Sequence, residues 1–326
     1  ALGTDQNYSN ATVDAIAKVV STSLMAGTMA LVPHVDTDAR LVVFVGSNPV
    51  VSHGQSTGFP NPIERLRHWR RQGEVVVVDP RRTETARQAD RHLAPRPGTD
   101  HVVLGHLVRE VVRRRGLDAA SVPAPAIGFE ALVETVEPLT AERAATITGL
   151  EPADLAGLVD AVEQAGRLAV VTGTGTSMSV EGNLVEWMAW SLMILTDSFD
   201  RPGGMWFNPG YLTRLDERPR LPPVPPGLPS APTLPTQVNA SAEWPASLIP
   251  DEIEAGRLRA LVVVGANLVT ALPQTERLTA AHDRLDALVV LDLFANETAA
   301  HASHVFACLD QLERPDLVPL DLYVPA

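Results

Sequence analysis

Five short segments of this chain each follow a run of apolar residues, and their residue types suit a polar, phosphate-bearing ligand. They are Gly46-Ser47-Asn48-Pro49, Asp79-Pro80-Arg81-Arg82-Thr83-Glu84-Thr85, Gly173-Thr174-Gly175-Thr176, Gly265-Ala266-Asn267, and Asp292 with Asn296-Glu297-Thr298. Glycine lets a backbone approach a ligand closely. A carboxylate at a strand end accepts hydrogen bonds from a ribose or a guanine edge. An arginine fork beside a hydroxyl, as at Arg81, Arg82 and Thr83, holds a pyrophosphate, and helix N-termini add backbone donors and a favourable dipole. Together the segments read as nucleotide-type ligand sites, one per α/β unit. Taken singly, a Gly after a strand is more often only a turn, and an Asp-Pro is more often a helix start. The first unit lacks a Gly-x-Gly-x-x-Gly fingerprint, and the chain has no Walker A lysine motif, no Gly-x-Ser-x-Gly elbow and no His-Glu-x-x-His.

The elements that must position these segments follow from hydrophobic periodicity. Val13, Ile16, Val19, Val20 and Leu24 recur at helical spacing, so a helix is expected over 11–30. Residues 41–45, 75–78 and 168–172 read as short buried strands. Helices are expected over 62–72, with Pro62 at its start, and over 101–115 after Pro97-Gly98-Thr99-Asp100. Two or three more are expected within 129–165, and another over 181–196. On that last helix, Trp187, Trp190 and Met193 read as core packing rather than as a cofactor box. Residues 217–250 are studded with proline, which fixes φ and removes a donor, so no regular element is expected there. Strands then return at 261–264 and 288–291, around a helix over 275–285. The expected architecture is α/β: two doubly wound, mostly parallel Rossmann-like units, each sheet covered on both faces, joined by a Pro-rich excursion. The domains are expected at 1–205 and 206–326, the second an incomplete unit preceded by the Pro-rich segment.

Composition excludes several classes. The net charge of -13 argues against nucleic acid as a partner. Apolar residues are 45% of the chain, yet no run nears the roughly 18 needed to span a membrane, so no membrane span is expected. Lys18 is the single lysine. Cys308 is the single cysteine, which rules out an internal disulfide or a cysteine-ligated cluster, and its apolar neighbours suggest a buried residue. The chain begins with Ala1, which leaves the compartment open.

The order of the segments adds a further level. Gly46-Ser47-Asn48-Pro49, Asp79-Pro80-Arg81-Arg82-Thr83-Glu84-Thr85-Ala86, Ala89-Asp90 and Pro97-Gly98-Thr99-Asp100 come first. Asp200-Arg201-Pro202-Gly203-Gly204, Gly265-Ala266-Asn267 and Asp292 to Thr298 follow. This series resembles the molybdopterin oxidoreductase family, the group of formate dehydrogenases, nitrate reductases and dimethyl-sulfoxide reductase. The resemblance implies two molybdopterin guanine dinucleotides around one molybdenum or tungsten. By it, Gly46, Ser47, Asn48, Asp79, Arg81, Thr83, Gly98, Thr99 and Asp100 contact one dinucleotide, with Gly173 and Gly175 near its pterin. Gly265, Asn267 and Asp292 contact the other. It also implies oxygen-atom or hydride-type redox chemistry, a small-molecule redox substrate and an electron-transfer domain or subunit as partner.

Departures from the family pattern shape further expectations. The iron–sulfur cluster is expected in the parent protein and not in this chain, and both ends are expected to be cut or supplied by other chains, leaving the isolated stretch inactive. The metal's protein ligand falls within Ser9 to Asp14: Ser9 or Asp14 serves, or no protein group does. Read blandly, Ser9 belongs to a helix N-cap region and Asp14 to a first helical turn. Ser303-His304 stands where the family has an Ala-Asp pair, which should weaken that contact. No Arg occurs at Pro209-Gly210-Tyr211, which points away from formate as substrate. Two other readings stay open: a cofactor-free structural relative, like the large iron–sulfur subunit of respiratory complex I, and an unrelated nucleotide-binding α/β protein.

Overall fold

Five consecutive apolar residues, Leu41 to Val45, form a strand buried on both faces. Such a strand needs partners on either side and helices above and below, and the rest of the larger body supplies them. The computed structural model describes residues 4, 6–10, 13–26, 33–54, 58–122, 126–210, 214, 217 and 243–315. In chain order the strands are β1 (Tyr8–Ser9), β2 (Pro33–Val35), β3 (Leu41–Val45), β4 (Glu74–Val78), β5 (Arg91–Leu93), β6 (Ala169–Thr172), β7 (Met205–Phe207), β8 (Trp244–Pro245), β9 (Ala260–Val264), β10 (Ala287–Asp292) and β11 (His304–Ala307).

The chain divides into two bodies. The larger takes the described residues of Ala17–Met25 and Ala30–Arg218, the smaller those of Ala1–Ile16 and Pro219–Pro319. In the larger body the main sheet is parallel throughout, in the order β5-β4-β3-β6. Helix Pro62–Gln72 carries the chain from β3 to β4, with Asn61 capping Glu64 and Pro62 in the first turn. Helices Asp100–Arg115, Phe129–Val136, Ala141–Thr148 and Pro152–Ala165 lie between β5 and β6, and helix Gly182–Leu195 follows. Trp69 is 2% exposed, stands edge-on to Phe59 at 5.8 Å and donates from Nε1 to the Asp36 carbonyl at 3.0 Å. Trp190 and Met193 are buried in the same core, as helical packing requires.

The smaller body has a parallel sheet of order β11-β10-β9, and a short parallel pair of β1 with β8. Its core gathers Ile249, Ile253, Leu261, Leu278, Leu288 and Val290 on one face of the sheet. Among the described residues nothing covers the other face, where two-sided cover was expected. Val262 pairs with Val289, and Val264 with Leu291, which pairs in turn with Phe306. Val264 is 69% and Phe306 57% exposed. Cys308 follows this edge strand and is exposed rather than buried, since no helix among the described residues packs over it.

Of the helix expected over 11–30, the described part runs Ala17–Ala26; residues 13–16 form a turn instead, 11–12 and 27–30 lie outside the described residues, and Leu24 is exposed. The Pro-rich stretch also contains order. Trp244–Pro245 pairs with Tyr8–Ser9, and Pro250 sits in the first turn of helix Ile249–Glu254, where its missing donor costs nothing. The rest of that stretch, 218–242, lies outside the described residues. Among the described residues no helix is long and apolar enough to cross a membrane.

Two outcomes follow. Trp69→Ala should cost roughly 3–5 kcal/mol, read as a lower denaturant midpoint. His282 is buried in the smaller body with both ring nitrogens unpartnered, and burial holds its pKa below the ordinary 6.5. Unfolding lets it take up a proton, so its contribution to stability is lost as pH falls through that ordinary value toward the depressed one. His282→Leu should therefore lose less stability than the wild type between about pH 7.5 and 5.5; equal losses in urea titrations at both pH values would refute this.

Candidate functional site: paired strand-end clasps

In the larger sheet the strand order reverses between β3 and β6, because the chain builds outward from β3 to β5 and then returns to the other side of β3. Such a reversal opens a crevice at the carboxyl ends of the strands. Gly46 follows β3 and Gly173 follows β6, and their loops meet backbone to backbone. Gly173 N donates to Val45 O and Gly175 N to Gly46 O, both at 3.0 Å. A Cβ on Gly173 would stand 2.5 Å from Gly46 O, and Gly46 itself has φ +56°. Both positions exclude a side chain.

The loop after β3 is tied to the loop after β4 by one asparagine. Asn48 Oδ1 accepts from Thr85 N at 3.1 Å and from Thr85 Oγ1 at 2.7 Å, while its Nδ2 donates to Glu84 Oε2 at 2.8 Å. The hydrogen bond from Asn48 is the first cause that holds the Glu84 carboxyl below its ordinary pKa. Thr83 is buried, and its hydroxyl accepts from Ala86 N at 3.0 Å. Asp79 Oδ1 accepts from Arg81 N at 2.8 Å. The exposed Arg81 guanidinium lies 3.5 Å from Glu84. Ser47 is buried between the loops.

Gly98 and Thr99 are on the surface ahead of helix Asp100–Arg115, with the Thr99 hydroxyl on Arg96 O at 2.7 Å. Asp100, the first residue of that helix, is buried, and its Oδ1 has no hydrogen-bond partner. Burial is the main cause that raises its pKa, and the negative charge of Asp79 adds to it. Next to it the Nδ1 of His101 is buried without a partner as well. Buried polar atoms are nearly always paired, so an unpaired carboxylate oxygen marks a place where a donor is missing.

The smaller body repeats the clasp. Gly265 has φ +59° and donates to Leu291 O at 2.9 Å, as Gly46 donates to Val78 O at 2.9 Å. Thr298 Oγ1 donates to Asn267 Oδ1 at 3.0 Å, and Asn267 Nδ2 donates to Glu297 Oε2. Val269 N donates to Thr298 Oγ1 at 3.2 Å, and Val50 N to Thr85 Oγ1 at the same distance. Asp292 Oδ1 accepts from Phe294 N at 3.1 Å, and its Oδ2 accepts from Asn296 Nδ2 at 2.9 Å. Beyond this loop Ser303 Oγ accepts from Leu288 N at 3.1 Å, as Asp90 Oδ2 accepts from Val75 N at 3.0 Å in the larger body.

The sequence-derived residues therefore divide by role. Gly46, Gly173 and Gly175 meet in one place, and Asp79 and Asp100 interact electrostatically. Asn48 and Asn267 spend their amides within the protein. Sequence reasoning missed that internal role and the part of Thr85 and Thr298 in it. The signal was present as a repeated Gly-x-Asn followed by Glu-Thr, with Asn and Glu 36 residues apart in one body and 30 in the other. Ser9 pairs with Pro245 in the smaller body, and Asp14 Oδ1 accepts from Ala15 N at 2.6 Å in the turn before the first helix. Among the described residues no three His, Cys, Asp or Glu side chains gather as a metal site.

A reversing parallel sheet with glycine turns at its strand ends, echoed by a second parallel sheet with the same clasp, defines an α/β protein built on Rossmann-like units. The chain belongs to the molybdopterin oxidoreductase family, whose model matches residues 3–307. It is similar to formate dehydrogenase H of Escherichia coli (strain K12), at 25% identity over 279 residues, 80% of this chain and 38% of that protein. It is also similar to the alpha subunit of a formate dehydrogenase of Methanococcus maripaludis, at 25% over 280 residues, 82% of this chain and 40% of that one. The solved structure of acetylene hydratase from Pelobacter acetylenicus shares the fold, with a TM-score of 0.75 at 17% identity over 99% of this chain and 48% of its own. The chain spans 29% to 40% of the curated relatives just above and of a further one from Bacillus subtilis.

The clasp is open to test. Asn48→Ala removes an acceptor from the buried Thr85 and should cost about 1–3 kcal/mol, with Asn267→Ala costing a similar amount in the smaller body. Denaturant titration of each variant measures it, and a change below about 0.5 kcal/mol would show the clasp to be incidental.

Proposed function

We propose that this chain forms part of the catalytic subunit of a molybdenum- or tungsten-dependent oxidoreductase, and that each body holds one molybdopterin guanine dinucleotide at its strand ends. The buried Asp100 carboxylate with an unpartnered Oδ1 carries this reading. A guanine edge offers adjacent N–H donors, the chemistry that oxygen lacks. The turns at Gly46, Gly173 and Gly175 pack backbone to backbone and so keep side chains out of the strand-end crevice, and Gly98 lies exposed ahead of Asp100. Arg81, exposed beside Asp79, supplies a phosphate fork. In the smaller body Gly265, Asn267 and Asp292 occupy the matching places, with the Asn267 amide shaping the loop and the backbone left for contact.

The bound group supplies oxygen-atom or hydride-type redox chemistry at its metal. This chain's residues bind and orient it: Asp100 accepts from the base, Asp79 fixes its own loop through Arg81 N, and the clasps hold the crevice walls. Ser9 or Asp14 is the candidate protein ligand of the metal. The substrate is a small redox molecule; formate is not assigned, since Pro209-Gly210-Tyr211 carries no Arg. The electron-transfer partner is a further domain or subunit that holds the iron–sulfur cluster, in keeping with a relative described as an alpha subunit.

Mass spectrometry of the full-length protein, purified from a host that makes the cofactor, should find about one metal and two guanine nucleotides per chain. Neither metal nor nucleotide would move the assignment to the cofactor-free structural relative, and nucleotide without metal to an ordinary nucleotide-binding protein. Asp100→Asn should lower guanine retention roughly 10- to 100-fold. The raised pKa of Asp100 means that the ligand-free fold loses stability as pH rises through the ordinary carboxylate range toward the raised value. Asp100→Asn should abolish that loss, so the variant's ligand-free form should be at least as stable as the wild type at pH 7.

A further inference from the structure

Beneath the Gly173 loop lies a small cavity lined by apolar residues, among them Val170, Trp190 and Met205, and by three polar ones, Lys18, Thr172 and Glu186. Two ionisable side chains line it, Lys18 and Glu186. Glu186, on helix Gly182–Leu195, is 1% exposed, and its Oε1 has no hydrogen-bond partner. A carboxylate buried in that state is costly unless a counter-charge reaches it. Among the described residues, Lys18 is the only positively charged one in the cavity wall. Its Nζ donates to Thr172 O at 2.9 Å, which is the last carbonyl of β6 and adjoins Gly173. An ammonium has three donors and this contact uses one. The cavity has room for about one water, which needs polar partners on more than one side and finds them in the two charged groups.

We infer that the half-buried Lys18 and the buried Glu186 form an ion pair bridged by one water, and that the pair fixes the end of β6 and so positions the Gly173–Gly175 loop. The residue choice agrees with the geometry. All other Lys or Arg positions in the chain are Arg. A guanidinium is a rigid planar fork, whereas an ammonium is a compact charge with rotatable donors that serves a carbonyl and a water at once. The same helix is held at Ser21, whose hydroxyl donates to Asn183 O at 3.4 Å, so Lys18 enters from a docked element. The effect of the loop on ligand retention rests on the cofactor reading above; the ion pair does not.

The test is a double-mutant cycle in the full-length protein, read by thermal unfolding at neutral pH. Lys18→Met strands the Glu186 charge and should lower Tm by roughly 5–15 °C. Lys18→Met combined with Glu186→Leu should lose less than Lys18→Met alone. Additive losses overturn the pair. If Lys18→Met gives no soluble protein, recovery of soluble protein in the double variant supports the pair, and failure of the double variant while Glu186→Leu folds overturns it. The positioning role is read separately, as guanine nucleotide retained per folded molecule of Glu186→Gln. A fall of roughly threefold or more is expected for a loop that is displaced; unchanged retention overturns that part. Wild-type protein lacking nucleotide altogether would sink the cofactor reading, and the Tm cycle would still decide the ion pair.

Discussion

One asparagine amide in each body joins the loops that end two neighbouring strands. A carboxamide has an acceptor oxygen and two donor hydrogens, so it can take a threonine on one side and give to a glutamate on the other. Asn48 does this with Thr85 and Glu84, and Asn267 with Thr298 and Glu297. The two loops belong to different turns of the chain, and a parallel sheet gives them no hairpin to hold them together. The amide clasp does that work. The left-handed glycine before each asparagine turns the chain so that the amide faces inward. The first of these loops also meets the Gly173 loop, so the crevice wall in the larger body depends on the same turn.

Charge at the strand ends is arranged around that scaffold. Glu84 is held ionised by the clasp, whereas Asp100 is pushed the other way by burial and by Asp79. One carboxylate is satisfied within the protein and the other is left with an open oxygen. That contrast separates an acid spent within the protein from one with an open oxygen more sharply than residue type could. Thr83 falls on the structural side, because its hydroxyl is buried and caps Ala86.

Much of the fold was legible in the sequence. The strand Leu41–Val45 and the helix Pro62–Gln72 have the bounds their periodicity and turn residues suggest, because two-sided burial leaves no polar position inside such a strand. The Asp100 position and the glycine turns were legible as types. Three features were not. The order around Trp244 and Pro250 depends on a strand contributed by Tyr8 and Ser9, over two hundred residues away, and local propensity cannot carry that. Cys308 looked buried from its neighbours, but its strand lies at a sheet edge with an open face. The pairing of Asn48 with Glu84 and Thr85 required the register of β3 against β4, which a list of motifs does not contain.

The clasp also bears on how such a chain can change over time. Its side chains face one another, so what remains for a ligand at these turns is largely peptide N–H and C=O, groups that every residue except proline possesses in full. Most flanking positions are then free to drift, provided that a glycine, an asparagine, a glutamate and a threonine keep their places. A handful of letters in each half, if kept, is enough to hold these turns while the positions around them are rewritten.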